Sequence, residues 1–137
     1  MSARILVVDD LAPNRHLLEV KLAAEYYDVL TASSGREALK VAANEKLDLI
    51  LMDAMMPGMN GFETCERIKH NPETWHIPVV MVTALEETKD RIRGLEAGAD
   101  DFITKPIDDF NLMARVRSLL RLKMVTDQLL SHTGHSL

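Results

Sequence analysis

The sequence has few of the residues that mark several common classes of protein. It contains one cysteine, Cys65, so it can form no disulfide framework, and the helical pattern around that cysteine favours an inert, half-buried thiol. Only 4% of its 137 residues are aromatic, and its net charge of −5 comes with no basic run. Because nucleic-acid binding depends on clustered positive charge, we expect no direct contact with nucleic acid.

Long apolar runs and glycine-rich phosphate loops are also missing. No apolar run approaches the roughly 20 residues that span a bilayer, and the first run, at residues 5–8, is too short for a signal-peptide core. We therefore expect a cytoplasmic protein with no membrane partner. The balance of 47% apolar and 27% charged residues is that of an ordinary soluble domain.

What the sequence does contain is a regular alternation of short aliphatic runs and amphipathic segments. The runs predict buried strands at residues 5–8, 28–31, 47–52, 77–82 and 101–104. The segments that follow them predict five helices, among them 14–26, 61–70 and 86–97. Five such alternations predict an α/β fold, in which five flanking helices cover both faces of a doubly wound, five-stranded parallel sheet.

Helical spacing also predicts the caps and the inner face of each helix. Ser33 or Ser34 suits the start of the second helix, Gly98 a left-handed end of the fourth, and Asp108 or Asp109 the start of the last. The residues predicted to face inward are Leu17, Leu18, Leu22 and Ala23; Ala38, Leu39, Val41 and Ala42; Phe62, Cys65 and Ile68; Ile92, Leu95 and Ala99; and Leu112, Met113, Val116, Leu119 and Leu120.

The last helix is longer than a sheet of this size requires. Three or four turns would end it near residues 120–122, yet Val125, Leu129 and Leu130 continue the apolar stripe without glycine or proline. We predict one domain over residues 1–122 and, over 123–137, an extension of the last helix with a polar tail. This extension is either a frayed tail or a linker to a partner, an output domain or a second domain of the same kind.

Polar side chains follow four of the five predicted strands. Asp9 and Asp10 follow the first strand, Asp53 the third, Thr83 the fourth and Lys105 the fifth. An aspartate that follows one strand is more often a helix cap or a turn residue. Because the carboxyl ends of parallel strands share one edge of the sheet, however, these five side chains can converge there.

This set of side chains has the chemistry of phosphoryl transfer. Three neighbouring carboxylates repel one another unless cations join them. Lys105 supplies one positive charge, and Mg²⁺, which prefers a few carboxylate oxygens and water, would supply the rest. A carboxylate can then attack phosphorus while the metal and the lysine neutralise the phosphoryl oxygens and Thr83 donates a hydrogen bond to one of them.

The motifs in order resemble the receiver domain of bacterial two-component response regulators over residues 3 to about 122. They are Asp-Asp at 9–10, Asp53 with Met-Pro-Gly-Met-Asn-Gly at 56–61, Thr-Ala at 83–84 and Lys-Pro at 105–106. Residues 1–10, 24–27, 76–80 and 94–109 further resemble the first receiver of PleD-type regulators, which are diguanylate cyclases with an output domain after two receivers. The resemblance implies a flavodoxin-like sheet of strand order 2-1-3-4-5.

The resemblance also implies a role for each acidic residue. Asp53 matches the aspartate that accepts a phosphoryl group from the phosphohistidine of a histidine kinase. Asp10, assisted by Asp9, matches the Mg²⁺ ligand, and Asp53 and the backbone carbonyl of Met55 complete the implied set of protein ligands.

Thr83 and Phe102 match the switch pair of receivers, in which the hydroxyl moves toward the phosphate and the aromatic ring rotates inward. Lys105 matches the phosphate-binding lysine, and the family usually holds the proline after it in the cis form. The sequence departs from the usual motif at Asn60, where an aspartate is commoner, but asparagine caps a helix about as well.

The resemblance implies two kinds of partner. One is a sensor histidine kinase or phosphotransfer protein, and the other is an output domain or partner protein. The favoured context is cyclic-di-GMP signalling.

Charged residues on the last two helices and on the strand between them form either a solvated face or the face of a salt-bridged homodimer, and we favour the homodimer. They include Arg91, Asp100, Asp101 and Arg115.

Three other classes of protein are weaker interpretations of the sequence. A haloacid-dehalogenase-like phosphatase needs a second acid two residues after its nucleophile, where Met55 stands. A flavodoxin-like cofactor carrier needs a hydroxyl-rich loop after the first strand, where Asp9 and Asp10 stand. A receiver-like scaffold that acts without phosphorylation would not need every acidic, hydroxyl and lysine position of the site to be intact. We therefore expect self-phosphotransfer and autodephosphorylation only, with no enzyme activity and no diguanylate cyclase domain in this chain.

Overall fold

Five parallel strands form the centre of the computed structural model, which describes residues 2–84 and 88–135. The strand order is β2-β1-β3-β4-β5, which confirms the predicted doubly wound fold. The strands are β1 (Arg4–Val8), β2 (Asp28–Ala32), β3 (Leu49–Asp53), β4 (Val79–Thr83) and β5 (Asp101–Thr104). The helices are α1 (Ala12–Ala23), α2 (Gly35–Asn44), α3 (Gly61–Lys69), α4 (Thr88–Glu96) and α5 (Asp109–His135).

The two faces of the sheet carry separate hydrophobic cores. Successive strand residues point to opposite faces, so Leu6 packs in one core and Ile5 in the other. Ala38 of α2 and Cys65 of α3 lie in the first core, whereas α1 and α5 contribute to the second, for example through Leu112. Helices thus cover both faces, which explains why the central strands β1, β3 and β4 are apolar except at their ends.

The predicted inner faces of two helices are wrong in part. On α1, Leu18 and Leu22 are buried, but Leu17 is 54% exposed and Ala23 is also exposed. The helix ends at Ala23 and not at residue 26, because Tyr26 has a left-handed backbone conformation with φ of 67° that turns the chain toward β2.

On α4, the two large apolar residues point away from the core. Ile92 is 49% exposed and Leu95 is 62% exposed, whereas Gly94 is buried. The helix approaches the sheet too closely at Gly94 for large side chains on that face. Gly98 ends the helix with φ of 93°, as predicted, while the predicted first two residues, 86 and 87, lie outside the described residues.

The last helix continues well beyond the sheet. Helix α5 has 27 residues, and Leu112 and Val116 are fully buried on its inner face. Beyond residue 122 its large apolar residues are mostly exposed, but Lys123 is only 3% exposed and pairs with Asp127. Among the helices that the structure describes, none combines the length and hydropathy needed to cross a membrane.

Candidate functional site

The three aspartates predicted to share a site meet at the carboxyl edge of the sheet. Asp9 and Asp10 follow β1 directly, and Asp53 is the last residue of β3, with Val82 of β4 opposite it. One carboxylate oxygen from each aspartate lies within 4.8 Å of the others. The strand register therefore brings together residues that are more than 40 positions apart in sequence.

Local hydrogen bonds hold Asp9 in this arrangement. Its Oδ1 accepts a hydrogen bond of 2.9 Å from the backbone N–H of Leu11, and its backbone carbonyl accepts one of 2.8 Å from the guanidinium of Arg15. Arg15 was not among the residues predicted for the site. The sequence did offer one signal for Arg15, because this arginine lies in the first turn of the helix that follows the acidic pair Asp9 and Asp10.

Asp53 lies between opposing electrostatic influences. Burial raises the pKa of its carboxyl group and the neighbouring Asp9 raises it further, whereas Lys105 and the backbone N–H of Met55 lower it. The Lys105 Nζ is 3.5 Å from Asp53 Oδ1 and 3.8 Å from Asp9 Oδ2. Because one ammonium faces two carboxylates, with Asp10 close by, the cluster retains negative charge.

The loop after Asp53 folds back onto the strand end. The backbone N–H of Gly61 donates a 2.9 Å hydrogen bond to the carbonyl of Ala54, and a Cβ atom at position 61 would come within 2.1 Å of the Asp53 carbonyl oxygen. The Asn60 side chain accepts a hydrogen bond from the N–H of Glu63, which completes a capping box on α3. Position 61 therefore has room only for glycine so close to Asp53. The position of Gly61 after Asn60 in the sequence did not reveal this requirement.

The fourth and fifth strands bring the other predicted residues to the same edge. Thr83 is buried and its backbone carbonyl accepts a 2.8 Å hydrogen bond from the N–H of Lys105. The Lys105–Pro106 peptide bond is cis, as the resemblance implied. Thr83 and Phe102 line the same narrow crevice beside α4.

The match of the sequence to known proteins decides the family. Residues 5–117 match the family described as the response regulator receiver domain. The chain belongs to this receiver family. Among its relatives, the response regulator PleD of Caulobacter vibrioides is 61% identical over 129 residues, which cover 94% of this chain and 28% of that protein. The chain therefore spans less than a third of the length of that relative.

Solved structures of receivers agree with this assignment. The receiver domain of a signal transduction histidine kinase from Syntrophus aciditrophicus has a TM-score of 0.83 and 38% identity, with 88% of this chain and 91% of that chain covered. The chemotaxis protein CheY4 of Vibrio cholerae has a TM-score of 0.83 and 29% identity, with 87% and 99% covered.

Membership of the family establishes the general function of this receiver. It is a two-component signalling module of a kind that typically switches on phosphorylation, and a receiver alone is not an enzyme that acts on other substrates. Receivers bind Mg²⁺ at an acidic pocket and interact with histidine kinases or phosphotransfer proteins and with output domains.

The donor atoms of the acidic cluster fit Mg²⁺. The described residues of the cluster offer carboxylate oxygens only, from Asp9, Asp10 and Asp53, and hard oxygen donors are what this ion prefers. Burial, and then the neighbouring Asp9, raises the pKa of Asp53, and a divalent cation would favour its ionised form. Among the residues that the structure describes, no histidine or thiol that would favour a softer metal belongs to this cluster.

The four charged residues predicted to form a dimer face do not form a single network in the structure. The Arg115 guanidinium is 2.6 Å from Asp101 Oδ1 within the same chain, and Arg91 is exposed on α4. Asp100 instead lies 2.7 Å from the ammonium of Lys69 on α3 and accepts a hydrogen bond from the N–H of Val79. The structure therefore joins Asp101 and Arg115 but directs Asp100 toward α3.

Proposed function

We propose that Asp53 accepts a phosphoryl group from a sensor histidine kinase or a phosphotransfer protein. The observation that carries this proposal is the cluster at the sheet edge, where a buried Asp53 lies beside two further aspartates and 3.5 Å from the Lys105 ammonium. A carboxylate oxygen of Asp53 attacks phosphorus as the bond from phosphorus to the donor histidine nitrogen breaks. The product is an acyl phosphate on Asp53.

In this proposal the residues that hold Mg²⁺ are Asp9, Asp10, Asp53 and the backbone carbonyl of Met55. When bound, the ion neutralises charge on the phosphoryl oxygens. The hydrogen bonds to Asp9 from Leu11 and Arg15 support the proposal, because they orient a ligand before the ion arrives.

Lys105 and Thr83 then recognise the transferred group. The Lys105 ammonium, which faces Asp53 and Asp9, pairs with a phosphoryl oxygen once Asp53 carries the phosphoryl group. The Thr83 hydroxyl donates a hydrogen bond to another oxygen, and the Phe102 ring occupies the inward position beside it. Phosphorylation thereby biases the surface formed by α4, β5 and α5.

The chain would act in the cytoplasm as part of a longer regulator. We propose residues 1–122 as the receiver and 123–137 as a linker to an output domain, a second receiver or a partner protein; residues 136 and 137 lie outside the described residues. The identity with PleD supports a role in cyclic-di-GMP signalling, with synthesis of that nucleotide assigned to a separate domain. The exposed charges of α4 and the Asp101–Arg115 pair support a homodimer face that phosphorylation favours.

The experiment that tests this function is Mg²⁺-dependent labelling with acetyl phosphate, followed by intact mass measurement. The wild type should gain one labile phosphoryl group, Asp53→Asn should gain none, and removal of Mg²⁺ should prevent labelling. Asp28→Asn is the matched control, because Asp28 is exposed at the opposite end of the strands and should not affect labelling.

A second candidate is a receiver-like scaffold that acts without phosphorylation. A wild type that binds Mg²⁺ normally yet gains no phosphoryl group would favour it and overturn our proposal. Steady release of phosphate without a trapped adduct would instead indicate a phosphatase.

A further inference from the structure

Gly94 of α4 lies directly against the aromatic ring of Phe102. A Cβ atom at position 94 would come within 2.5 Å of Phe102 Cε1 and 2.6 Å of Cζ, and within 3.4 Å of Phe62 Cε1. Carbon atoms do not approach this closely without displacement. Any side chain at position 94 therefore requires the Phe102 ring to move.

Phe62 is held more firmly than Phe102. The Phe62 ring is buried in the core, and the Arg93 guanidinium stacks on it with Cζ 4.6 Å from the ring centroid. Phe102 on β5 is only partly buried, and it packs at the margin of the same core cluster. Of the two rings, Phe102 is the one that an added methyl group would displace.

The present position of Phe102 is the inward one. Its ring packs against the core cluster that contains Phe62, and it lines the same crevice as Thr83. Within Thr88–Glu96, Gly94 is the one buried residue, so α4 meets the sheet at the point where it contacts this ring.

We infer that Gly94 is a positioning residue of the phosphorylation switch, because its missing side chain provides the room that the inward Phe102 ring occupies. This inference rests on the proposed switch function of Thr83 and Phe102. If phosphorylation favours the inward ring, then by reciprocity a substitution that expels the ring weakens the interaction of the site with a phosphoryl group. The size of residue 94 thus sets the balance between the two switch states.

The first test needs no phosphoryl group. The chain has three phenylalanines, so ¹³C-labelled phenylalanine rings give a simple NMR spectrum, in which Phe110 is an internal control because it is 78% exposed. In the wild type the Phe102 ring protons should show strong NOEs to the α-protons of Gly94. In Gly94→Ala these NOEs should disappear and the Phe102 signals should shift, whereas Ile92→Ala, which changes an exposed residue of the same helix, should leave them unchanged.

The second test measures binding of beryllofluoride, a mimic of the phosphoryl group, in the presence of Mg²⁺. Gly94→Ala should weaken its binding about fivefold or more. In a Phe102→Leu background the same substitution should have less than about a twofold effect, because leucine lacks the two ring atoms that clash. Should Gly94→Ala alone fail to fold, the steric inference requires the double variant to fold.

The outcomes separate this inference from the proposed function. Unchanged Phe102 signals in Gly94→Ala, or equal weakening in both backgrounds, would overturn the role of Gly94 while leaving phosphorylation of Asp53 intact. A wild type that binds no beryllofluoride would overturn the proposed function and with it the switch role of Gly94, even if the ring moves.

Discussion

At the scale of single residues, Asp53 is buried beside Asp9, and both burial and the neighbouring carboxylate raise its pKa. Because the pKa of Asp53 is higher in the folded than in the unfolded state, the folded state holds the proton more tightly. The stabilisation from this group is fully present below its unfolded pKa, and it is lost as the pH rises through its folded pKa. At neutral pH the ionised carboxylate therefore destabilises the fold, as groups at functional sites often do.

Substitution of Asp53 by asparagine should consequently stabilise the receiver in the absence of divalent cations. We expect the free energy of unfolding in urea at pH 7 with EDTA to rise by about 1 kcal/mol. Added Mg²⁺ should reduce the difference in free energy of unfolding between Asp53→Asn and the wild type, because the ion stabilises the wild type by binding to its folded state. Asp28→Asn, which removes an exposed carboxylate, should show no gain, and a less stable Asp53→Asn in EDTA would contradict the electrostatic argument.

Cys65 provides a pH-dependent test of the core. It is fully buried, its Sγ lies 3.5 Å from the Ala97 carbonyl oxygen, and burial raises its pKa from 9.0 to about 12. Since the folded state holds the proton more tightly, stability should be unaffected below pH 9 and should fall by about 1.4 kcal/mol per pH unit above it. Urea unfolding from pH 7 to 10.5 measures this slope, and a Cys65→Ala variant with an equally steep decline would show that other groups cause it.

At the scale of elements, the extension of α5 remains attached to the body of the receiver. Lys123 is buried and pairs with Asp127 one turn later, and the Asp127 Oδ1 is 3.9 Å from Nδ1 of His76 in the segment before β4. Burial, and then the charge of Lys123, lowers the pKa of His76. With Lys123 buried, the approach of Asp127 to His76 brings the first turns of the extension beside the segment that precedes β4.

Asp127→Asn should loosen this contact, because it leaves the buried Lys123 ammonium without its carboxylate. We expect a loss of about 1–3 kcal/mol in the free energy of unfolding, and faster amide hydrogen exchange at residues 123–130. Gln128→Ala, on the exposed side of the same turn, is the control and should change little. Equal effects of the two substitutions would indicate that the extension is not anchored by this pair.

Helix faces show how far an apolar pattern alone can be interpreted. The inner face of α5 follows the predicted stripe, because large residues such as Leu112 and Val116 fill the space over the sheet. On α4 the pattern failed, because contact with β5 is made by Gly94, and Ile92 and Leu95 are left outside. Periodicity identifies a helix, but the distance between helix and sheet decides which residues fit between them.

At the scale of the whole molecule, the α4, β5 and α5 surface carries the proposed dimer face. Arg115 already pairs with Asp101 in its own chain, so in a dimer the pair must be shared or exchanged with a second copy. Arg115→Glu places like charges together and should abolish any dimer that beryllofluoride and Mg²⁺ induce, as measured by analytical ultracentrifugation. Lys46→Glu, an equal change of charge on an exposed residue outside this face, should leave dimerisation intact. A wild type that stays monomeric when saturated with beryllofluoride would contradict the proposal.

The sequence by itself determined the order of elements, the doubly wound sheet and the identity of the polar residues at its carboxyl edge. These follow from local information, since buried strands are short aliphatic runs and a parallel sheet brings all their ends to one side. The sequence alone therefore assigns Asp9, Asp53, Thr83 and Lys105 to one edge.

Only the tertiary structure decided the contacts that support this edge. Three of these contacts join residues from different parts of the chain. They are the hydrogen bond from the Arg15 guanidinium to the Asp9 carbonyl, the close approach of Gly61 to Asp53, and the packing of the Phe102 ring against Gly94. Their distances depend on how closely helices and loops approach the strands, and that is set by packing of the whole core. A sequence pattern specifies which face of an element is apolar, whereas the room available to a single ring or backbone carbonyl is a property of the assembled molecule.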